Sequence, residues 1–158
     1  MENRTLYSAL SSIVGILKQL GQNDRVISYT ERLIIINPND NFGLRGGLVN
    51  EYLAQKDYNK TFKLLRLYPN DISLATSMAK VLALWATGDT GSAQKQWLEV
   101  KKHNSHIKKY MLKSKIATPE LTPYAVTMGG EDEAWLYRDV ARDTWLEHKG
   151  AISWLKQN

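Results

Sequence analysis

Glu99, His103 and His106 stand at successive spacings of four and three. On an uninterrupted helix they would share one face, as a metal site requires. Asn104-Ser105 lies between the histidines and is expected to end the helix. Lysines on both sides would repel a cation, so no metal and no cofactor is expected. Glu131-Asp132-Glu133 is the second cluster. Adjacent acids on a helix do not converge on one atom, which disfavours an acid–base or metal role. At the start of a helix they suit the positive end of its dipole, at about 0.3–1 kcal/mol each. His148 stands alone near a helix end, where solvent exposure or a dipole contact accounts for it. Gly43, Gly46 and Gly47 are not followed by the Lys-Ser/Thr of a phosphate loop and are not preceded by a strand. They suggest close helix approach or a widened groove. The chain has no cysteine, which removes thiolate metal sites, disulfides and cysteine nucleophiles together. No enzyme activity is expected.

The strongest surface signal is Lys101, Lys102, Lys108, Lys109, Lys113 and Lys115. Residues 1–100, 101–115 and 116–158 carry formal charges of +2, +6 and −3, so one short stretch exceeds the net charge of +5. The run is either a solvated face or a patch for an acidic protein, nucleic acid or anionic lipid. Tyr110 is its one aromatic residue, which is thin support for base stacking.

The elements that must carry these residues are helices. Among 158 residues, 43% are hydrophobic and 23% charged, with ten glycines and four prolines, which excludes collagen-like and wholly disordered chains. The longest apolar run, Val81 to Ala86, is too short to span a bilayer. Thr5 to Leu17 reads as a first amphipathic helix rather than a signal peptide, with Leu6, Leu10, Ile13, Leu17 and Leu20 in one stripe. Val26, Tyr29, Leu33 and Ile36 mark a second helix. Asn41 caps a third bearing Leu44, Leu48, Tyr52 and Leu53. Tyr58, Phe62, Leu65 and Leu67 mark a fourth. Asp71 caps a fifth that is apolar nearly all round and so should lie centrally. Ala93, Trp97 and Val100 place a sixth.

The punctuation between helices recurs. Asn37-Pro38-Asn39-Asp40 is echoed by Tyr68-Pro69-Asn70-Asp71 a step of 31 later, and Gly21 and Gly88 are 67 apart. Such periods mark paired-helix repeats. The pattern resembles the tetratricopeptide repeat. Gly21, Val26, Leu33 and Pro38 match in the first repeat. Leu48, Val49, Tyr52, Asp57-Tyr58 and Pro69 match in the second, and Leu84, Gly88-Asp89, Ala93 and Trp97 in the third. The motif's first-helix tryptophan is missing throughout. The order Asn104-Ser105-His106-Ile107, Tyr110-Met111-Leu112, Pro119, Pro123-Tyr124, Gly129-Gly130-Glu131-Asp132-Glu133-Ala134, Trp145 and Gly150 to Leu155 is similar to the C-terminal part of the suppressor-of-tumorigenicity-related tetratricopeptide family. The resemblance implies an all-α, right-handed superhelix of about three helix-turn-helix repeats, an irregular crossing segment and C-terminal capping helices. It implies no enzyme activity. Residues 1–105 would form the hairpins. Residues 106–158 would form a basic connector, a crossing loop and closing helices on the same domain. In the crossing, Tyr124, Val126 and Met128 alternate with small or polar residues, which favours an ordered, partly packed path. Trp135, Tyr137, Trp145 and Trp154 would close the end of the stack, with an aromatic cage as the sharper alternative.

Arrays of this kind expose a concave surface lined by the first helix of each repeat. Ser8, Ser11, Ser12 and Gly15 fall there from the first repeat, Gly43, Gly47 and Asn50 from the second, and Ala75, Ala79 and Leu82 from the third. The lining is small and neutral. Repeats that clamp a peptide's terminal carboxylate use Lys, Asn and Arg where this chain has Ser11, Gly15, Gly47, Ala75 and Ala79, so no such clamp is expected. The groove takes an apolar segment or is filled by the chain's own tail. The expected function is a non-enzymatic, cytoplasmic protein-binding scaffold, with polyanion binding at the lysine run as the alternative. An uncovered first helix leaves a homodimer open.

Overall fold

The computed structural model describes residues 3–40, 43–123 and 125–158, with side chains from Ser8 onward. The described residues form nine helices and no strand: α1 (Asn3–Gln19), α2 (Asn23–Ile36), α3 (Leu44–Ala54), α4 (Tyr58–Leu67), α5 (Leu74–Ala86), α6 (Thr90–His103), α7 (Ile107–Leu112), α8 (Glu131–Glu147) and α9 (Ala151–Gln157). None is long and apolar enough to cross a membrane.

Short turns fold α2 onto α1, α4 onto α3 and α6 onto α5, and α2 and α4 also pack on the helix that follows. The three turns within these pairs are built alike. Gly21, Lys56 and Gly88 all have positive φ, of 67°, 58° and 90°. In each, the next residue's N–H reaches back five residues to a helix carbonyl: Gln22 to Leu17, Asp57 to Tyr52, Asp89 to Leu84, at 2.8–3.0 Å. This closes the last turn and satisfies carbonyls that the helix end would leave open. Asp57 and Asp89 then cap α4 and α6 by accepting from the N–H of Lys60 and Ser92.

The alternate turns are clasped to one another. Asp40 is buried and accepts from the N–H groups of Leu44 and Arg45 at 2.8 and 2.9 Å, which caps α3. The cap expected at Asn41 lies outside the described residues. Arg45 lies over the Tyr68 ring, 4.7 Å from its centre, and donates to Asp71 of the next turn. The Tyr68 hydroxyl donates to the carbonyl of Pro38. Two turns 31 residues apart are thereby tied together. On the opposite edge Tyr52 donates to Glu31, and Gln55 donates to Asp24.

Ser73, not Asp71, caps α5, accepting from the Thr76 N–H; Asp71 instead accepts from the Ser73 N–H at 2.8 Å and turns the chain into the cap. Ile72 therefore lies outside the helix and is 63% exposed. The body of α5 is central, in contact with α3, α4, α6, α8 and α9. Met78, Val81, Leu82 and Ala83 have no accessible surface. One buried cluster runs from Ile27 to Leu155, so the C-terminal helices share the core of the first six.

The tail lies along the array rather than only at its end. α8 packs on α3 and α5, and α9 packs on α5, α7 and α8. Its apolar side is Ala134, Tyr137, Ala141 and Trp145, all buried, with the Trp145 indole N–H donating to the Tyr137 hydroxyl at 2.8 Å. Trp135 and Trp154 are partly buried against the same core. Arg138 and Arg142 of α8 donate to carbonyls of Tyr110, Lys113, Ser114 and Met111, closing the end of α7. His148 is buried, not solvated. Its Nδ1–H donates to the Thr144 carbonyl, which can only accept, and Nε2 shares a hydrogen bond with the Tyr58 hydroxyl at 3.1 Å. In the crossing Val126 and Met128 are exposed, against the expected packing, and Tyr124 lies outside the described residues.

At the other end α1 rests on α2. Leu17 is buried and Leu10 partly so, but Ile13 and Leu20 are exposed, as is Ile16 beside them, so two of the four stripe residues with described side chains remain uncovered. Ile36 and Leu67, expected on the core sides of α2 and α4, are also exposed, while Ile34 and Leu64 fill those places.

Two outcomes follow. Lys56 is the one of the three equivalent turn residues with a side chain, and a left-handed conformation costs such a residue about 1–2 kcal/mol. Lys56→Gly is expected to stabilise the protein by about 0.5–1 kcal/mol, read as a higher urea midpoint. A chain ending before Glu131 uncovers the α3 and α5 faces, and is expected to lose its single cooperative urea transition.

Candidate functional site

The array's two sides differ in what is left open. On the side of α3 and α5 the expected groove is occupied in part by the chain itself. Asn50 Nδ2 donates to the Val140 carbonyl of α8 at 3.1 Å, Ala79 and Leu82 are buried, and Ala75 is partly buried. A Cβ on Gly46 would sit 3.0 Å from that of Ala75, so Gly46 permits the close approach of α3 to α5. Gly43 is not within the helix but precedes it, at a φ of 66°. Gly47 faces open space. Ser8, Ser12 and Gly15 are exposed on α1 and Ser11 is partly buried; no helix of the tail packs there.

The lysine run is divided by its partners. Lys101 donates to the Asn158 carbonyl and lies over the Trp97 ring. Lys102 pairs with Glu99 at 2.6 Å, and Lys109 with Glu131 at 2.8 Å. Lys108, Lys113 and Lys115 have no hydrogen-bond or ion-pair partner among the described residues; Lys108 is partly buried and the other two are exposed. The candidate metal residues also separate. Glu99 is held by Lys102, while His106 opens α7 and faces Glu131 at 3.4 Å. Among the described residues no group of three potential ligands converges.

The three acids that begin α8 are all engaged. Glu131 meets Lys109, Asp132 Oδ2 accepts from the Thr127 N–H, and Glu133 Oε2 accepts from the Gly129 N–H and from Asn104 Nδ2. The hydrogen bond from Lys109 holds Glu131 below the usual carboxylate range, and the Thr127 N–H does the same for Asp132. Asn104 is buried and joins the end of α6 to the start of α8. Gly129 is forced here: a Cβ would lie 2.6 Å from the His103 carbonyl oxygen.

That junction forms one wall of a cleft of about 580 Å³. Its other walls are the end of α4, the Tyr68–Ile72 turn, α5 and α6. Phe62, Leu65, Ile72 and Met128 supply apolar surface, and Arg66, Lys80 and His103 supply basic groups. A second depression, of about 500 Å³, continues along the crease of α5 and α6 and shares Lys80, Gln96 and Glu99 with the first. It adds Lys95. The side chains of Arg66 and Lys80 make no hydrogen bond or ion pair with described residues, whereas Lys95 stands near enough to Asp89 to help hold that carboxyl below its ordinary range. Ser77 and Gln96 are partly buried and equally without a partner. The carboxylates of the trough, by contrast, are engaged: Asp71 by Arg45 and Ser73, Glu99 by Lys102, and Glu133 by two N–H donors. The trough therefore offers free donors beside an apolar floor.

Arg66, Lys80 and Lys95 carry no motif in sequence. Lys80 left one trace, being the sole charge on α5, which marks the strip of that helix left open to water.

Compared with known proteins, the chain matches no family model, and neither a curated protein nor a solved structure shows significant similarity to it.

Burial raises the pKa of Asp71, but the Ser73 N–H and the Arg45 guanidinium outweigh it and hold the carboxyl below its ordinary 3.8. A depressed carboxyl stabilises the fold above its unfolded pKa of about 3.9, and that stability is lost as pH falls through the lower folded value. Asp71→Asn is expected to destabilise the protein at neutral pH. The gap from wild type should narrow below about pH 4, followed by urea midpoints across the acid range.

Proposed function

We propose that the chain is a non-enzymatic, cytoplasmic protein-interaction module of tetratricopeptide type, with three hairpins wound as a right-handed superhelix. The reading is supported by three turns of one construction, at Gly21, Lys56 and Gly88, and by the clasp between turns 31 residues apart. The observation that carries the binding role is the trough over α4, α5 and α6, where unpaired donors adjoin exposed Ile72 and Met128. The α3–α5 face is covered at Asn50, Ala79 and Leu82 by α8 and the core, which favours the trough over that face as the place a partner meets. Polyanion binding through the lysine run has less support, since three of its six ammonium groups already face internal acceptors.

A photoreactive phenylalanine analogue placed at Ile72, at Ser12 or at Lys115 separates these surfaces. Irradiated in the native cell, the position-72 variant is expected to give discrete protein adducts, and the other two none. Adducts confined to position 115 and containing nucleic acid, or none at any position, would overturn the module reading.

A further inference from the structure

We propose that the chain pairs with a second copy of itself, α1 against α1 in antiparallel sense, through Ala9, Ile13, Ile16 and Leu20. Steps of four, three and four put these residues along one side of the helix. The bond from the Leu20 N–H to the Ile16 carbonyl carries the helical path past Gln19. All four residues are exposed, Ile13 at 39%, Ile16 at 55% and Leu20 at 64%. Leu10, Val14 and Leu17 turn toward α2 instead and are wholly or partly buried. The repeat shows what the exposed side is for. Setting the turn at Gly21 on the one at Lys56 places Ala9, Ile13, Ile16 and Leu20 at Leu44, Leu48, Glu51 and Gln55 of α3. α3 uses those positions to meet the hairpin before it: Leu48 is buried, Glu51 pairs with Lys18, and Gln55 donates to Asp24. The α1 stripe is therefore the stacking side of the first hairpin. Among the described residues only α2 packs extensively on α1.

A second copy fits that side by pattern, charge and area. A two-fold pair sets a stripe against itself in reversed order. The spacing of four, three and four reads the same from either end, so Ile13 of one copy faces Ile16 of the other, and the small Ala9 faces the large Leu20. Charge does not oppose the contact. From Ser8 to Gln19 the only charged residue is Lys18, which Glu51 engages, while Arg25 donates to Gln22 and Arg32 lies over the Tyr29 ring. A strongly acidic or basic partner finds no counterpart on the stripe. α1 has 17 residues and α2 has 14, so at 1.5 Å per residue they are about 25 and 21 Å long. With helices about 8–10 Å apart, the hairpin end measures about 25 by 20 Å, roughly 500 Å² on each copy. The pair hides about 1,000 Å² in all, the lower bound for a specific interface, so dissociation at about 1–100 μM is expected. At about 100° per residue Ser8, Ser12 and Gly15 fall to one side of the stripe and stay clear of the contact.

The test is sedimentation equilibrium on the full chain from about 1 to 300 μM. The average mass is expected to rise from 18.0 kDa toward twice that value. Ile16→Glu, which sets a carboxylate against the apolar stripe of the other copy, should weaken pairing at least about twentyfold. Ile72→Glu, at an equally exposed apolar residue of another surface, should leave it within about twofold. Both positions are exposed, and urea midpoints measured at about 1 μM show that each variant is folded. The register is checked by thiols, since the chain has no cysteine of its own. Ala9→Cys and Leu20→Cys proteins, mixed and oxidised, should give a bridged pair, and each alone should give little. A mass of 18.0 kDa throughout, a dimer that survives Ile16→Glu, or loss in Ile72→Glu instead would overturn the proposal. Thiols that bridge to their own kind as readily as to each other would overturn the antiparallel pairing. The measurements use the isolated chain, so the trough keeps its own test.

Discussion

α5 has no wide polar face, and the rest of the chain is arranged around that fact. An amphipathic helix needs a neighbour on one side, whereas Leu74, Met78, Val81 and Leu82 with Ala79, Ala83 and Thr76 give α5 a buried arc of about 220°. At about 25 cal/mol per Å² of apolar surface, exposing any one flank would cost more than most surface contacts return. Five helices meet α5 as a result. α4 and α6 are its neighbours in sequence, α3 is its equivalent in the preceding pair, and α8 and α9 close what those three leave open. The tail is therefore part of the core and not an appendage, which is why Trp145 and Leu155 are as inaccessible as Val81.

The same constraint creates the open trough. Lys80 is the one charged side chain on α5 and cannot be buried without a partner. Where it emerges, no helix can lie flat, so the crease between α5 and α6 stays open to water. The loop before α8 reaches only one end of that crease, held by Asn104, Glu133 and Gly129. Polar bonding thus fixes the wall of the cleft, and an unpaired charge keeps its length clear. On the α3 side the logic reverses: Gly46 and Ala75 allow backbones to approach, and α8 can seal the surface.

Helices and their turns were legible along the chain because their causes are local. The Gly21 and Gly88 turns and the prolines after α2 and α4 each act within a few residues; the Asp57 and Asp89 caps are equally local, but those residues read only as matches to the repeat pattern. Gln55-Lys56-Asp57-Tyr58 reads as the turn equivalent to those at Gly21 and Gly88, but the left-handed backbone of Lys56 was hidden, since a lysine gives no sign of it. Asp71 was placed as a cap and proved to be the residue that sets up the Ser73 cap, a shift of two positions that no propensity distinguishes. The lysine run was visible as composition, but which ammonium groups are free was not. Lys101 finds a carbonyl 57 residues away, at Asn158, and Lys109 finds a carboxylate 22 residues away, at Glu131.

What the order of residues decided alone is the helical class, the pairing of neighbouring helices and the central place of α5, because short-range bonding and apolar periodicity leave little choice. Which face of the array stays open was settled only in three dimensions. Asn50 meets Val140, Tyr58 meets His148, and Arg66 and Lys95 are brought to one trough by contacts far apart in the chain. Long-range packing chooses among surfaces that look equally plausible as strings of letters, since a side chain's freedom to bind depends on whether something distant has already reached it.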